Sequence, residues 1–234
     1  MKFRRLLYLI LSLTIIGCNK SQTKNGVSYT KDGVTYYEQK LNSPTRNAEA
    51  LKFYAIGYSE FQKENYNGAI KNYEKAFQID SNYTDAIDNC ALSFRRLNQL
   101  DSAEYYYKLS IKKLPKNELA WSNLAIVYEF KEDYSKAEST FKKLLEFSPK
   151  CGDGLYGLSE VYLKENKNDS AIIYSLKAYE VWLDNNPDFA GDAIFYTGLG
   201  YLQKGNKKKA MEYFIKANKL GRNISPEIQK QLNE

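Results

Sequence analysis

The sequence contains no histidine. That absence excludes Ser-His-Asp and Cys-His nucleophilic sites, His-ligated zinc and histidine general bases together. Three cysteines cannot furnish a structural zinc site of four thiolates, and five prolines leave no Pro-rich linker. No glycine-rich phosphate loop is present. Asp184, Asn186 and Asp188 open like a calcium loop, but Phe189 stands where glycine is required and Phe195 where the closing glutamate belongs, so no metal is expected. No cofactor is expected either. Apolar runs are short too: Leu6 to Ile16 is about half of the roughly 20 residues that span a bilayer. What remains is a chain of 234 residues with mean hydropathy −0.59, the signature of a water-soluble folded protein. Tyrosine is abundant, at 21 residues, and needs an explanation.

The first residues read as an export signal. Lys2, Arg4 and Arg5 precede the apolar run, and polar Asn19-Lys20-Ser21 follows it. Ile15-Ile16-Gly17-Cys18 resembles the lipobox of bacterial lipoproteins. The resemblance implies removal of residues 1–17 and acylation of Cys18, and several acyl chains suffice for stable anchoring. The alternative is an ordinary signal peptide that ends beside a cysteine. Asn19, rather than Asp, implies under the enteric sorting rule an outer-membrane location facing the periplasm of a bacterial cell envelope. With Lys2, Arg4 and Arg5 removed, much of the formal charge of +6 goes, which argues against a nucleic-acid partner.

Residues 18–43 read as a polar tether from lipid to domain. Within them, at 27–37, Asp32-Gly33 sits between alternating β-formers from Tyr29 to Tyr36, a hairpin signal. A disordered tether and a short hairpin both fit.

A period then appears. Ala69, Ala103, Ala137 and Ala171 fall 34 residues apart, and Ala210 follows after 39. Gly57, Ala91, Ala125, Ser159 and Gly198 keep the same spacing, as do Phe53, Ile87, Trp121, Leu155 and Ile194. Large residues recur at Tyr73, Tyr107, Phe141 and Phe214, and at Phe94, Tyr128, Tyr162 and Tyr201. Within a unit, Trp121, Leu124, Ala125 and Tyr128 have helical spacing. This pattern resembles the tetratricopeptide repeat, a helix-turn-helix unit of 34 residues. The resemblance implies an all-α solenoid over 44–224, with units 50–83, 84–117, 118–151, 152–190 and 191–224, and a capping helix over 225–234. Ser43-Pro44 is expected to start the first helix, and Asp101-x-x-Glu104 and Ser135-x-x-Glu138 suit capping boxes. Unit four carries Ser175 at a large position and about five extra residues, so its second helix should run a turn longer before Asn186-Pro187. Cys90 reads as a buried thiol, too far from Cys151 to bridge to it.

In such arrays the first helices line a concave groove through their fifth, ninth, twelfth and thirteenth positions. Here the fifth positions are Tyr54, Asp88, Ser122, Tyr156 and Phe195, and the ninth are Tyr58, Leu92, Ile126, Glu160 and Leu199. The twelfth and thirteenth include Phe61, Arg95 with Arg96, Glu129 with Phe130, and Leu163 with Lys164. The repeat proteins that clamp a C-terminal carboxylate carry Lys and Asn where this chain has Tyr54 and Tyr58, which argues against that mode. The resemblance implies a non-enzymatic scaffold. Its groove would take an apolar-aromatic segment of an envelope protein, with Arg95 and Arg96 as partners for an acidic group. The alternative is a substrate-capture or accessory module beside a transporter or cell-wall enzyme. Lys207-Lys208-Lys209 suits either a solvated loop or a contact with anionic headgroups. Oligomeric state is not legible in the sequence.

Overall fold

A computed structural model describes residues 28–31, 34–37, 45–185, 187–226, 228 and 230. The lipobox and most of the tether lie outside the described residues. Strands β1 (Ser28–Lys31) and β2 (Val34–Tyr37) pair antiparallel, with Ser28 opposite Tyr37 and Lys31 opposite Val34. Asp32 and Gly33 lie outside the described residues.

Five helix pairs follow. They are α1 (Ala48–Gln62) with α2 (Tyr66–Ile79), α3 (Thr84–Arg96) with α4 (Leu100–Lys113), and α5 (Glu118–Phe130) with α6 (Tyr134–Phe147). Then come α7 (Gly152–Lys164) with α8 (Asn168–Asn185), and α9 (Pro187–Gln203) with α10 (Lys207–Lys219). Each helix packs on its successor, and the first helices also touch in order, α3 on α5, α5 on α7 and α7 on α9. The architecture is an all-α solenoid. Beyond α10, Pro226, Ile228 and Lys230 are helical, and Ile228 is buried in the main core.

One backbone device repeats through all five units. Glu64, Asn98, Glu132, Asn166 and Gly205 follow the first helix of each pair, and each has φ between 57° and 75°. The amide after each bonds back across the helix end, as in Gln99 N–H to the Phe94 carbonyl at 2.9 Å and Asn206 N–H to the Tyr201 carbonyl at 2.9 Å. This left-handed closure satisfies free carbonyls and turns the chain into the second helix.

Helix starts differ from expectation. Residues 45–47 are not helical, and α1 begins at Ala48 with the Asn47 side chain accepting from the Glu49 and Ala50 amides. Pro44 is therefore not the first helical residue. Neither expected capping box forms. Helix α4 begins at Leu100, and its N-cap, Gln99, makes no side-chain cap bond; α6 is capped by Asp133, which accepts from the Lys136 amide. Glu104 and Glu138 are engaged elsewhere. Glu104 accepts from the Tyr128 hydroxyl at 3.1 Å and Glu138 from the Tyr162 hydroxyl at 3.0 Å, each reaching from one unit to the next.

Small residues let paired helices approach. A Cβ added to Gly57 would lie 2.8 Å from the Tyr73 ring, and one on Gly198 would lie 2.7 Å from Phe214. Tyr73, Tyr107, Phe141 and Phe214 are fully buried at the repeated large position. Ser175 takes that position in unit four and shares a hydrogen bond at 2.7 Å with Thr197. Helix α8 has 18 residues against 14 in α2, α4 and α6, as the wider spacing implied. Its extra turn carries Trp182, which lies against Gly152 and stacks obliquely on Tyr156 and Phe189, both at 5.4 Å. Cys90 is a buried free thiol.

Candidate protein-binding site

The faces of α1, α3, α5, α7 and α9 carry the residues expected to line a groove. The structure sorts them by depth. Tyr54 packs into the junction of the first two units, 5.5 Å from the Tyr73 ring and 5.0 Å from Tyr83, and its hydroxyl accepts from Asn89 at 3.0 Å. Burial pushes its pKa up, and the nearby Asp85 carboxylate adds to that. Phe61 meets Tyr66 edge-on at 5.3 Å within its own unit. Tyr58 and Leu92 are half-buried on the same face.

Asp88 does not line an open surface. It is buried, and its Oδ2 accepts from Asn117 Nδ2 at 2.6 Å, tying α3 to the start of α5. Burial raises its carboxyl to about 7, against the opposing effect of bonds from Ser110 and Asn117. Phe195 is also core: it is 2% exposed, 5.3 Å from the Phe214 ring and covered by the Arg222 guanidinium at 5.0 Å. Ser122 and Leu199 are buried.

The exposed part centres on α3 and α5. Phe130 is 46% exposed, and Ile126, one turn before it, is partly exposed. The Arg95 guanidinium lies 5.8 Å from the Phe130 ring centroid, a cation–π arrangement. Burial depresses the Arg95 pKa; Arg96 beside it is exposed.

Further along lies a charged cluster. Glu160, Glu129 and Lys164 were each expected at lining positions, but not as an ion-paired group. Lys164 Nζ donates to Glu129 Oε2 at 2.7 Å and sits 3.0 Å from Glu160 Oε1. Burial pushes Glu129 up to about 8, the Glu160 charge adds to this, and Lys164 opposes it. For Lys164 burial acts downward, but the Glu160 and Glu129 carboxylates outweigh it and hold the ammonium above its ordinary range. Tyr156 and Tyr196 stand beside the cluster with ring centroids 4.7 Å apart. Burial raises both hydroxyls, and the Glu160 carboxylate adds to the rise in each. The signals that could have found the cluster are the Glu160–Lys164 spacing of one helical turn and the offset of Glu129 from Lys164 by one repeat plus one residue.

A tetratricopeptide repeat family model matches residues 53–83, 119–151 and 198–223. Photosystem I assembly protein Ycf3 of Prochlorococcus marinus is 24% identical over 144 residues, covering 58% of this chain and 65% of that protein. Anaphase-promoting complex subunit 3 of Schizosaccharomyces pombe is 29% identical over 108 residues, covering 45% of this chain and 15% of that protein. The chain thus spans less than two thirds of the length of these relatives. Among solved structures, MamA from Desulfovibrio magneticus RS-1 superposes with a TM-score of 0.64 at 16% identity, over 76% of this chain and 98% of that one. BtubC from P. vanneervenii gives a TM-score of 0.65 at 16% identity, over 75% and 83%. These likenesses concern the fold. The matched segments fall on α1–α2, α5–α6 and α9–α10, three of the helix pairs of the all-α solenoid.

Proposed function

We propose that this chain is a non-enzymatic scaffold that holds a segment of a partner protein along the face of its first helices. The observation that carries the reading is Phe130, a large apolar side chain left 46% exposed beside Ile126 on the face where α3, α5 and α7 adjoin. A core residue would be covered, and an exposed aromatic beside a guanidinium is the composition of an interaction hot spot. The similarity to an assembly protein and to a subunit of a multiprotein complex supports the same role. Acylation at Cys18 would place the scaffold on an envelope membrane, with a segment of an envelope protein as its partner. The lipobox-like Ile15-Ile16-Gly17-Cys18 supports that placement.

Crosslinking in intact cells tests the groove. Ile126→Ser with Phe130→Ser should remove the captured partner while leaving helicity unchanged. Capture that persists would overturn the reading. Labelling with an alkynyl fatty acid, expected to vanish in Cys18→Ala, tests the anchor separately.

A further inference from the structure

The positive charge of the chain is concentrated at one end of the array. Residues 204–222 hold seven lysines and arginines against one carboxylate, Glu212, and that difference of +6 equals the formal net charge of the whole chain. In the middle units lysines are matched: Lys108, Lys131, Lys142 and Lys167 meet carboxylates. Around α10 the matching stops. Lys204 pairs with Asp169 and Arg222 with Asp192, but Lys207, Lys208 and Lys219 are exposed and form no ion pair among the described residues. The first-turn lysines do not serve the helix either. Lys207, Lys208 and Lys209 stand where the macrodipole disfavours cations, with no acidic residue beside them, whereas α4 and α8 carry Asp101 and Asp169 there.

Apolar side chains stand among these cations. Ile215 is 47% exposed on α10, and Ile173 and Leu183 on α8 are 52% and 42% exposed. The two helices adjoin, with Lys216 Nζ 4.1 Å from the Tyr179 ring centroid. Lys208, Ile215 and Lys219 fall seven and four residues apart, on one stripe of α10 turned away from buried Ala210, Phe214 and Ala217. Against them stand the exposed carboxylates Glu212 and Glu180.

We propose that the outer face of α10, with α8 beside it, is a docking surface for a membrane rich in anionic phospholipid headgroups. Lys208 and Lys219 meet the phosphates, and Ile215 enters the boundary between headgroups and acyl chains. Unmatched cations alone would suit an acidic protein equally. Uncovered aliphatic side chains set between free lysines are the composition of an interfacial helix, and they favour the lipid surface. This reading goes beyond the groove and depends neither on it nor on acylation of Cys18.

The test is flotation of the full chain carrying Cys18→Ser, so that acylation contributes nothing. Vesicles are of phosphatidylcholine alone or of a three-to-one mixture with phosphatidylglycerol. Neutral vesicles measure what the apolar run from Leu6 to Ile16 contributes. Anionic vesicles should bind at least about tenfold tighter, and the gain should fall as salt rises. Each lysine at such a surface is worth about fivefold, so Lys208→Gln/Lys219→Gln should weaken anionic binding about twentyfold. Lys112→Gln/Lys113→Gln, which removes equal charge from the last turn of α4, should change it less than about twofold. Ile215→Ser should weaken it several-fold with charge unchanged. Circular dichroism checks that the variants remain folded. Equal partitioning onto both vesicles would overturn the headgroup surface, as would equal losses in the two lysine pairs or unchanged binding in Ile215→Ser. Capture of an oligoglutamate peptide through Lys208 and Lys219, with no gain on anionic vesicles, would overturn it in favour of an acidic protein.

Discussion

The Tyr128 hydroxyl donates to the Glu104 carboxylate at 3.1 Å, joining the second helix of one unit to the first helix of the next. One period later Tyr162 and Glu138 repeat the contact at 3.0 Å. Lysines complete each node: Lys108 and Lys131 meet Glu104, while Lys142 and Lys167 meet Glu138. The flanking interfaces replace the glutamate with Ile70 and Ile172, opposite Phe94 and Tyr201. At this one repeat position the middle of the array places a polar bond where the flanking units place apolar residues. Part of the tyrosine excess serves this fastening.

Acid should undo the middle interfaces first. For Glu104, burial acts upward, but bonds from Lys108, Lys131 and Tyr128 outweigh it and lower the carboxyl to about 2. A depressed folded pKa contributes stability that is present above the unfolded value near 4.5 and is lost as pH falls toward 2. Chemical denaturation between pH 6 and pH 3 should show a decline that is shallower in Glu104→Gln. Tyr128→Phe should cost about 1 kcal/mol at neutral pH, the worth of a charge-assisted bond removed from one side.

Asp88 should show the opposite sign. Its folded pKa is raised to about 7, so protonation favours the fold, and that advantage is lost as pH rises through 7. Asp88→Asn keeps an acceptor for Asn117 and removes the buried charge. Relative to the parent, the variant should gain up to about 4 kcal/mol between pH 4 and pH 8.5. Urea midpoints at the two pH values check this; a constant difference would show that Asp88 is charged throughout.

The repeated turn makes a prediction about the backbone. Glu64 has φ of 61° and Gly205 has φ of 75° at equivalent places in the first and last units. A side chain with a Cβ is strained there, while glycine is not. Gly205→Ala should destabilise by about 1 kcal/mol although nothing lies within 4 Å of the new Cβ. Glu64→Gly should be neutral or slightly stabilising. Thermal denaturation of the two variants separates backbone strain from packing.

The array was legible because a solenoid repeats its packing problem. A small residue must face a large one at each helix pair, so Gly57, Ala91, Ala125, Ser159 and Gly198 keep their spacing. The longer α8 was legible for the same reason, as an extra interval before Ala210. Helix starts were less so. Glu104 and Glu138 look like capping residues locally, but lysines and tyrosines of the next unit hold them, and no local pattern records that competition. Groove depth was hidden too. Repeat position fixes which face of a helix a residue occupies, not whether a neighbour covers it. Tyr83 and Asn89 engage Tyr54, and Phe214 and Arg222 cover Phe195, while Phe130 stays exposed.

Ser175 and Thr197 provide a test of how unit four accommodates its missing aromatic. Their hydroxyls lie 2.7 Å apart in a fully buried setting; one hydroxyl hydrogen bridges the pair and the other goes to a helix carbonyl, either Ser175 to Ile172 at 3.0 Å or Thr197 to Ala193 at 3.2 Å. Removing one hydroxyl leaves the other donating to its helix carbonyl but with its own buried oxygen no longer bonded to the second hydroxyl, and losing that bond in a buried setting is costly. Ser175→Ala and Thr197→Val should each destabilise by about 1–2 kcal/mol. The double variant should lose clearly less than the sum, because each single variant already removes the one bond the two hydroxyls share. A urea double-mutant cycle reads the coupling directly. Additive losses would mean that the carbonyl bonds, not the hydroxyl pair, hold this junction of α8 and α9.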